Sequence, residues 1–138
     1  MRLPIILIAT LPACTTLSPS MQVAEAVNRQ VNQSITYVSD IEQYGQSDRW
    51  VVEPVSGQGD CEDYALTKAH RLNAGGIVTT ASICLRNTRI PHAVALVHDG
   101  ADQWVLDNLY PYAIRKQDYS CDAWIDNALL RKSIYTGK

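Results

Sequence analysis

The sequence predicts an α+β domain in which the start of one helix packs on a small antiparallel sheet. Three observations carry this. Apolar residues recur at helical spacing from Val23 to Val38, a second helix is framed by Asp60 and by Gly75-Gly76, and three strand-like runs follow it. The last two runs are separated by Asp99-Gly100, a dipeptide that favours a tight hairpin turn.

The chain opens with Met1-Arg2 and an apolar stretch from Leu3 to Leu11, too short to span a bilayer. Leu11-Pro12-Ala13-Cys14 and a polar run to Ser20 follow. This resembles a bacterial lipoprotein signal, in which Cys14 would carry the lipid. A plain secretory signal or a merely apolar start are the alternatives. Residues 1–20 are therefore read as a signal segment and residues 21–138 as one domain. A signal of either kind places the protein outside the cytoplasm, in the periplasm, with a lipid on Cys14 as its contact with a membrane.

Ser18-Pro19-Ser20 offers a cap for the first helix, whose apolar stripe is Val23, Val27, Val31 and Ile35. Residues 39–60, with Gly45, Pro54, Gly57 and Gly59, read as a long irregular connection ending in a tight turn. Asp60 is a suitable N-cap for the second helix, with Glu62 and Asp63 in its first turn, and the pattern runs through Ala65, Leu66, Ala69 and Leu72. The strands are expected at Thr79–Leu85, His92–His98 and Gln103–Leu109, and a short helix at Ala123–Ile134.

With 46% apolar and 19% charged residues, the chain has the composition of a globular domain. A net charge of −2 and the lack of any Lys/Arg run exclude a nucleic-acid partner on electrostatic grounds. Four cysteines are present. With Cys14 assigned to the signal, Cys61, Cys84 and Cys121 remain, an odd number that suggests a free thiol in an exported protein. A Cys84–Cys121 bridge and two reduced buried thiols are both open. No Cys-x-x-Cys pair supports a redox protein.

Cys61 falls in the first turn of the second helix, where unpaired backbone N–H groups and the helix dipole favour a thiolate and suit an oxyanion. The acids around it, Asp60, Glu62 and Asp63, oppose that effect, and a cation would resolve the conflict. A small buried residue is the alternative role for such a cysteine. His70 lies on the same helix, about 13.5 Å along its axis, and cannot reach back. A two-residue turn at Asp99-Gly100 pairs His98 with Ala101 and hence His92 with Asp107, with Cβ atoms about 4.5–5.5 Å apart. His92 is then a base and Asp107 its orienter, unless the two form an ordinary surface pair; a one-residue slip would separate them. Trp50 and Gln58, in the loop before Cys61, are further candidates, Trp50 for packing beside the site or shielding it and Gln58 for donating to an oxyanion; the alternative for each is a plain loop residue.

Six blocks occur in order: Val27-Asn28-Arg29-Gln30-Val31-Asn32, Tyr37-Val38-Ser39-Asp40, Asp48-Arg49-Trp50 with Glu53-Pro54, Gly59-Asp60-Cys61-Glu62-Asp63-Tyr64-Ala65, Pro91-His92-Ala93-Val94 and Val105-Leu106-Asp107-Asn108-Leu109. Together they resemble the bacterial transglutaminase-like cysteine proteinase family, which includes a periplasmic adhesin-releasing protease. The likeness covers roughly residues 21–115, and the Gly-Asp-Cys-Glu-Asp segment is its specific part. It implies a papain-like, transglutaminase-like core and a Cys61–His92–Asp107 triad. It also implies a calcium (Ca2+) site on Asp60, Glu62 and Asp63; the alternative is that Asp60 caps the helix while the other two acids are solvated.

The expected activity is a calcium-dependent cysteine hydrolase, a protease or amidase acting on a protein or peptide such as a cell-surface protein. Transglutaminase-type acyl transfer and a non-catalytic, lipid-anchored peptide- or calcium-binding domain are the alternatives. Tyr119-Ser120-Cys121-Asp122-Ala123-Trp124 has no counterpart in the family pattern, so substrate choice does not carry over.

Overall fold

The structure, a computed structural model, describes residues 16–87 and 89–125. Cys14 lies outside them. Helix α1 spans Pro19–Ser34, with the Ser18 hydroxyl accepting from the Met21 amide at 3.2 Å. The hydroxyls of Ser18 and Ser20 donate to Asp99 at 2.7 and 2.9 Å, so packing begins ahead of the expected start at residue 21.

The buried face of α1 is Met21, Ala24, Asn28 and Val31, while Val23 is 51% exposed. A strict four-residue spacing advances about 40° per step around a helix of 3.6 residues per turn, so Val31 and Ile35 are buried and Val27 packs on the core while Val23, at the far end of the stripe, has turned to solvent. The helix also ends earlier than Val38. Ile35 turns extended and leads into β1, Thr36–Tyr37.

The 39–60 connection is not wholly irregular. Ser39 and Glu42 form a capping box that starts a short helix, α2, Asp40–Tyr44, closed by Gly45 in the left-handed conformation. Strand β2, Gln58–Gly59, then pairs in parallel with β1. Helix α3 follows at Cys61–Ala74, ending at Gly75. Asp60 occupies its N-cap position, yet its carboxylate makes no capping bond.

Strands β3 (Thr79–Arg86), β4 (Ile90–Asp99), β5 (Asp102–Leu106), β6 (Ile114–Arg115) and β7 (Ala123–Ile125) form one antiparallel sheet in the order β6-β5-β4-β3-β7. Asp99 pairs with Asp102, so the turn residues are Gly100 and Ala101, with Gly100 at φ 62°. The register therefore differs by two from the expected one, and Trp104 pairs with Val97. An even shift keeps every side chain on its face.

One face of the sheet packs on α1 and α3 through Met21, Ala24, Leu72, Ala95, Val97 and Leu106. The other face, with Cys84, Val94, Leu96 and Val105, is covered by the chain after β5, chiefly Tyr119, Tyr110 and Trp124. A Cys84–Cys121 disulfide ties that covering segment to β3, resolving the open alternative between bridge and thiols. Ala123–Ile125, expected to begin a helix, instead pairs with β3, where Trp124 stands opposite Cys84. The rest of that expected helix lies outside the described residues. No helix among them is long and apolar enough to cross a membrane.

Candidate active site

Cys61 is the first residue of α3 and the free cysteine among the described residues. Gly59 makes this start possible: a Cβ there would come within 2.7 Å of the Asp63 Cβ and 2.5 Å of its Oδ2. The Cys61 Sγ donates to Glu62 Oε2 at 3.0 Å and accepts from the Ala93 amide at 3.5 Å. The sulfur thus sits against β4, beside the backbone of His92. Burial, and after it the Glu62 carboxylate, push the thiol well above its ordinary range. The local acids and desolvation thus oppose the thiolate that the start of the helix favours.

His92 stands on β4 and Asp107 one residue beyond β5. They are not directly opposed, because Leu106 pairs with Ala95. The ring crosses diagonally instead, and His92 Nε2 lies 2.8 Å from Asp107 Oδ1. A neutral imidazole must place its proton on Nε2 to make this bond, so Nδ1 carries the basic lone pair. Asp107 is 1% exposed. Burial alone would raise its pKa, but bonds from His92, from the Tyr119 hydroxyl at 2.7 Å and from the Leu109 amide at 3.1 Å hold it below the usual carboxylate range. The Asn32 side chain donates to the Asp107 carbonyl at 3.0 Å, and Asn28 to the Tyr110 carbonyl at 2.8 Å. Helix α1 thereby fixes the turn that presents the carboxylate.

Asp40, Asp60 and Glu62 bring one oxygen each within 4.8 Å of one another. Asp60 Oδ2 accepts from the Asp40 amide at 3.4 Å, and Asp40 Oδ2 from the Arg49 amide. The other oxygens, Asp40 Oδ1 and Asp60 Oδ1, are buried without a partner. Burial and the neighbouring carboxylates push Asp60 up to about 7. A set of oxygens so crowded and so poorly satisfied fits a hard divalent cation. Asp63 is not in this group: its Oδ1 accepts from the Val51 amide at 2.6 Å, and burial raises it to about 6.

The profile described as bacterial transglutaminase-like cysteine proteinase BTLCP matches residues 10–126. The chain belongs to that family. Solved structures agree on the fold. Calcium-bound Legionella pneumophila LapG aligns at TM-score 0.62 and 23% identity, covering 78% of this chain and 66% of that one. A second LapG structure gives 0.59 and 25%, with the same coverage, and an EGTA-treated one gives 0.58 and 24%, covering 79% and 64%. The chain thus spans just under two thirds of the length of these LapG chains. No curated protein matches.

In this transglutaminase-like family member, sequence reasoning overlooked four residues at the site. Asp40 reaches the cluster from α2, and its only local signal was the Ser39–Glu42 capping box around it. Arg86 and Tyr119 both bond to Asp107 Oδ2. Lys68 is fully buried on α3, its amine unpartnered and pushed down to about 7 by burial despite the attraction of Asp107. His70 is exposed, and His98 lies at the far end of β4 beside Thr80 and Gln103. Trp50 packs in the cluster that includes Cys61, whereas Gln58 is exposed.

Proposed function

We propose that this chain is a calcium-dependent cysteine hydrolase acting on peptide bonds of a protein substrate, with Cys61 as nucleophile, His92 as base and Asp107 as orienter. The observation that carries the reading is the 2.8 Å His92–Asp107 bond beside a helix-start sulfur seated on the Ala93 amide. His92 Nδ1 takes the thiol proton as the sulfur attacks the carbonyl carbon. The tetrahedral oxygen lies near the first turn of α3, whose backbone donors suit it. The amine leaves with the proton returned by His92, and water, activated by the same nitrogen, releases the acid and restores the thiol. Asp107 keeps Nε2 protonated throughout.

Asp40, Asp60 and Glu62 would hold calcium, whose charge offsets the carboxylates that oppose a thiolate. The likeness to calcium-bound LapG supports this part of the reading. Export to the periplasm, with a lipid on Cys14, is part of the proposal, and the Cys84–Cys121 disulfide suits an oxidising compartment.

The test is labelling by iodoacetamide at mildly acidic pH with calcium present, read by peptide mapping. Wild type should label at Cys61 and His92→Ala should label at least tenfold more slowly. Equal rates in the two proteins would point to a non-catalytic domain. Intact mass of the exported protein reads the lipid on Cys14.

A further inference from the structure

Asp107 has two carboxylate oxygens with separate tasks. Oδ1 faces His92, while Oδ2 accepts from Tyr119 Oη at 2.7 Å and from Arg86 Nη2 at 3.1 Å. Arg86 Nη2 also donates to Tyr119 Oη, and the guanidinium lies 5.2 Å from the tyrosine ring centroid. The three groups form a closed triangle behind the carboxylate, and Tyr119 is 7% exposed within it.

The covalent connection around this triangle is short. Arg86 is two residues beyond Cys84 on β3, and Tyr119 is two residues before Cys121. The Cys84–Cys121 disulfide, with Cα atoms 5.7 Å apart, joins the two arms. The tyrosine arm is also held by the pairings of β6 and β7 on either side of it and by the packing of Tyr119 in one cluster with Cys84, Val94, Leu96 and Val105. Around it are a single-turn 3-10 helix, Lys116–Asp118, the Asp122 amide bond to the Leu85 carbonyl at 3.0 Å, and the Tyr119–Trp124 ring contact at 5.9 Å.

We propose that Arg86 and Tyr119 are positioning residues that fix the Asp107 carboxylate for His92, and that the Cys84–Cys121 disulfide is the latch holding Tyr119 in place, so that Cys61 reactivity depends on the latch being oxidised. The inference rests on the triad reading above. Opening the latch takes a dithiol reductant. One of its thiolates attacks a disulfide sulfur, its second thiolate displaces the protein thiolate, and the products are two protein thiols and the cyclic disulfide of the reagent. Once freed, the 116–122 connection gives up the entropy restraint that kept the phenol on Oδ2. With a donor lost, the negative charge concentrates on the remaining bond to His92 and the imidazolium holds its proton more tightly.

The experiment is the rate of Cys61 alkylation by iodoacetamide from pH 5 to 10 on the full chain, resolved by peptide mapping. Wild type, His92→Ala and Tyr119→Phe are compared, each oxidised and after reduction by dithiothreitol and desalting. The inflection that disappears in His92→Ala reports His92. Tyr119→Phe should move it upward by about 0.5–1 pH unit, the size of one net hydrogen bond. Reduction of wild type should move it in the same direction, and reduction of Tyr119→Phe should add nothing further. A Cys84→Ala/Cys121→Ala variant should reproduce the reduced profile without reagent. Superposition of the Tyr119→Phe profile on wild type overturns the positioning role, and an unchanged profile on reduction overturns the latch. If His92→Ala itself superposes on wild type, the triad reading fails and takes this inference with it, a result separable from the other two.

Discussion

Cys61 donates its thiol proton to Glu62 Oε2 at 3.0 Å, so the nucleophile candidate and its neighbour on α3 form one proton-sharing pair. The same Glu62 contributes an oxygen to the Asp40–Asp60–Glu62 cluster. A cation in the cluster would therefore compete with the thiol for this carboxylate. Adding calcium to the chelated protein should raise its melting temperature on the order of 10 °C at a hundredfold excess over Kd. Cys61 alkylation at neutral pH should speed up in parallel. Asp40→Asn should lose most of both responses while leaving the Cys61–Glu62 pair in place. Calorimetry and peptide mapping read the two effects.

Asp107→Asn removes the charge that stabilises the imidazolium and supplies a side chain that can favour the wrong tautomer. Turnover should fall about 10²- to 10⁴-fold. The Arg86 guanidinium also loses its charged partner, so the variant should melt lower than wild type. Steady-state kinetics should show the loss in kcat rather than in KM.

Gly59→Ala should be disruptive although Gly59 has no left-handed φ. The new Cβ meets Asp63 at 2.5–2.7 Å, and Asp63 is what holds the Val51 amide. Displacing it costs about 1–3 kcal/mol for an unsatisfied buried group. Urea unfolding should show that loss, and Gly59→Ala should label more slowly at Cys61 because the start of α3 shifts.

Lys68 gives a pH signature. Its amine titrates near 7 in the folded protein against 10.5 for an ordinary lysine, so the unfolded chain binds more protons between those values. The contribution of this group to stability is lowest below pH 7 and rises with pH through the window up to about 10.5. Lys68→Met should stabilise the protein by about 1–3 kcal/mol at pH 7. It should also flatten the alkaline rise. Urea titrations at pH 6.5 and 9 on both proteins check the prediction, which fails if wild type is no more stable at the higher pH once Lys68→Met is subtracted.

The parts of this fold that were readable from the sequence are those specified locally. The α3 boundaries follow from Asp60 and Gly75, and β3 to β5 from runs of apolar residues around Asp99-Gly100. The approach of His92 to Asp107 was expected from a register that is off by two. The two are not directly opposed, and their side chains still meet because an even slip preserves the face and because Asp107, just past β5, reaches diagonally. What escaped depends on tertiary approach. Asp40 arrives from twenty residues upstream of Asp60, and Tyr119 is brought over Asp107 by a covering segment whose tie to Cys84 leaves no local pattern. Of the α1 stripe, Val27, Val31 and Ile35 reach the core and only Val23 faces solvent, because the small drift per four-residue step accumulates along the helix.

Cleavage of peptide bonds by Cys61 with help from His92 can be read on a proteome-derived peptide library incubated with calcium and either wild type or Cys61→Ala, with new N-termini identified by mass spectrometry. Wild type should produce a recurrent set of new termini that is missing with Cys61→Ala and with His92→Ala. Identical sets of termini from all three proteins would rule out Cys61 as the nucleophile.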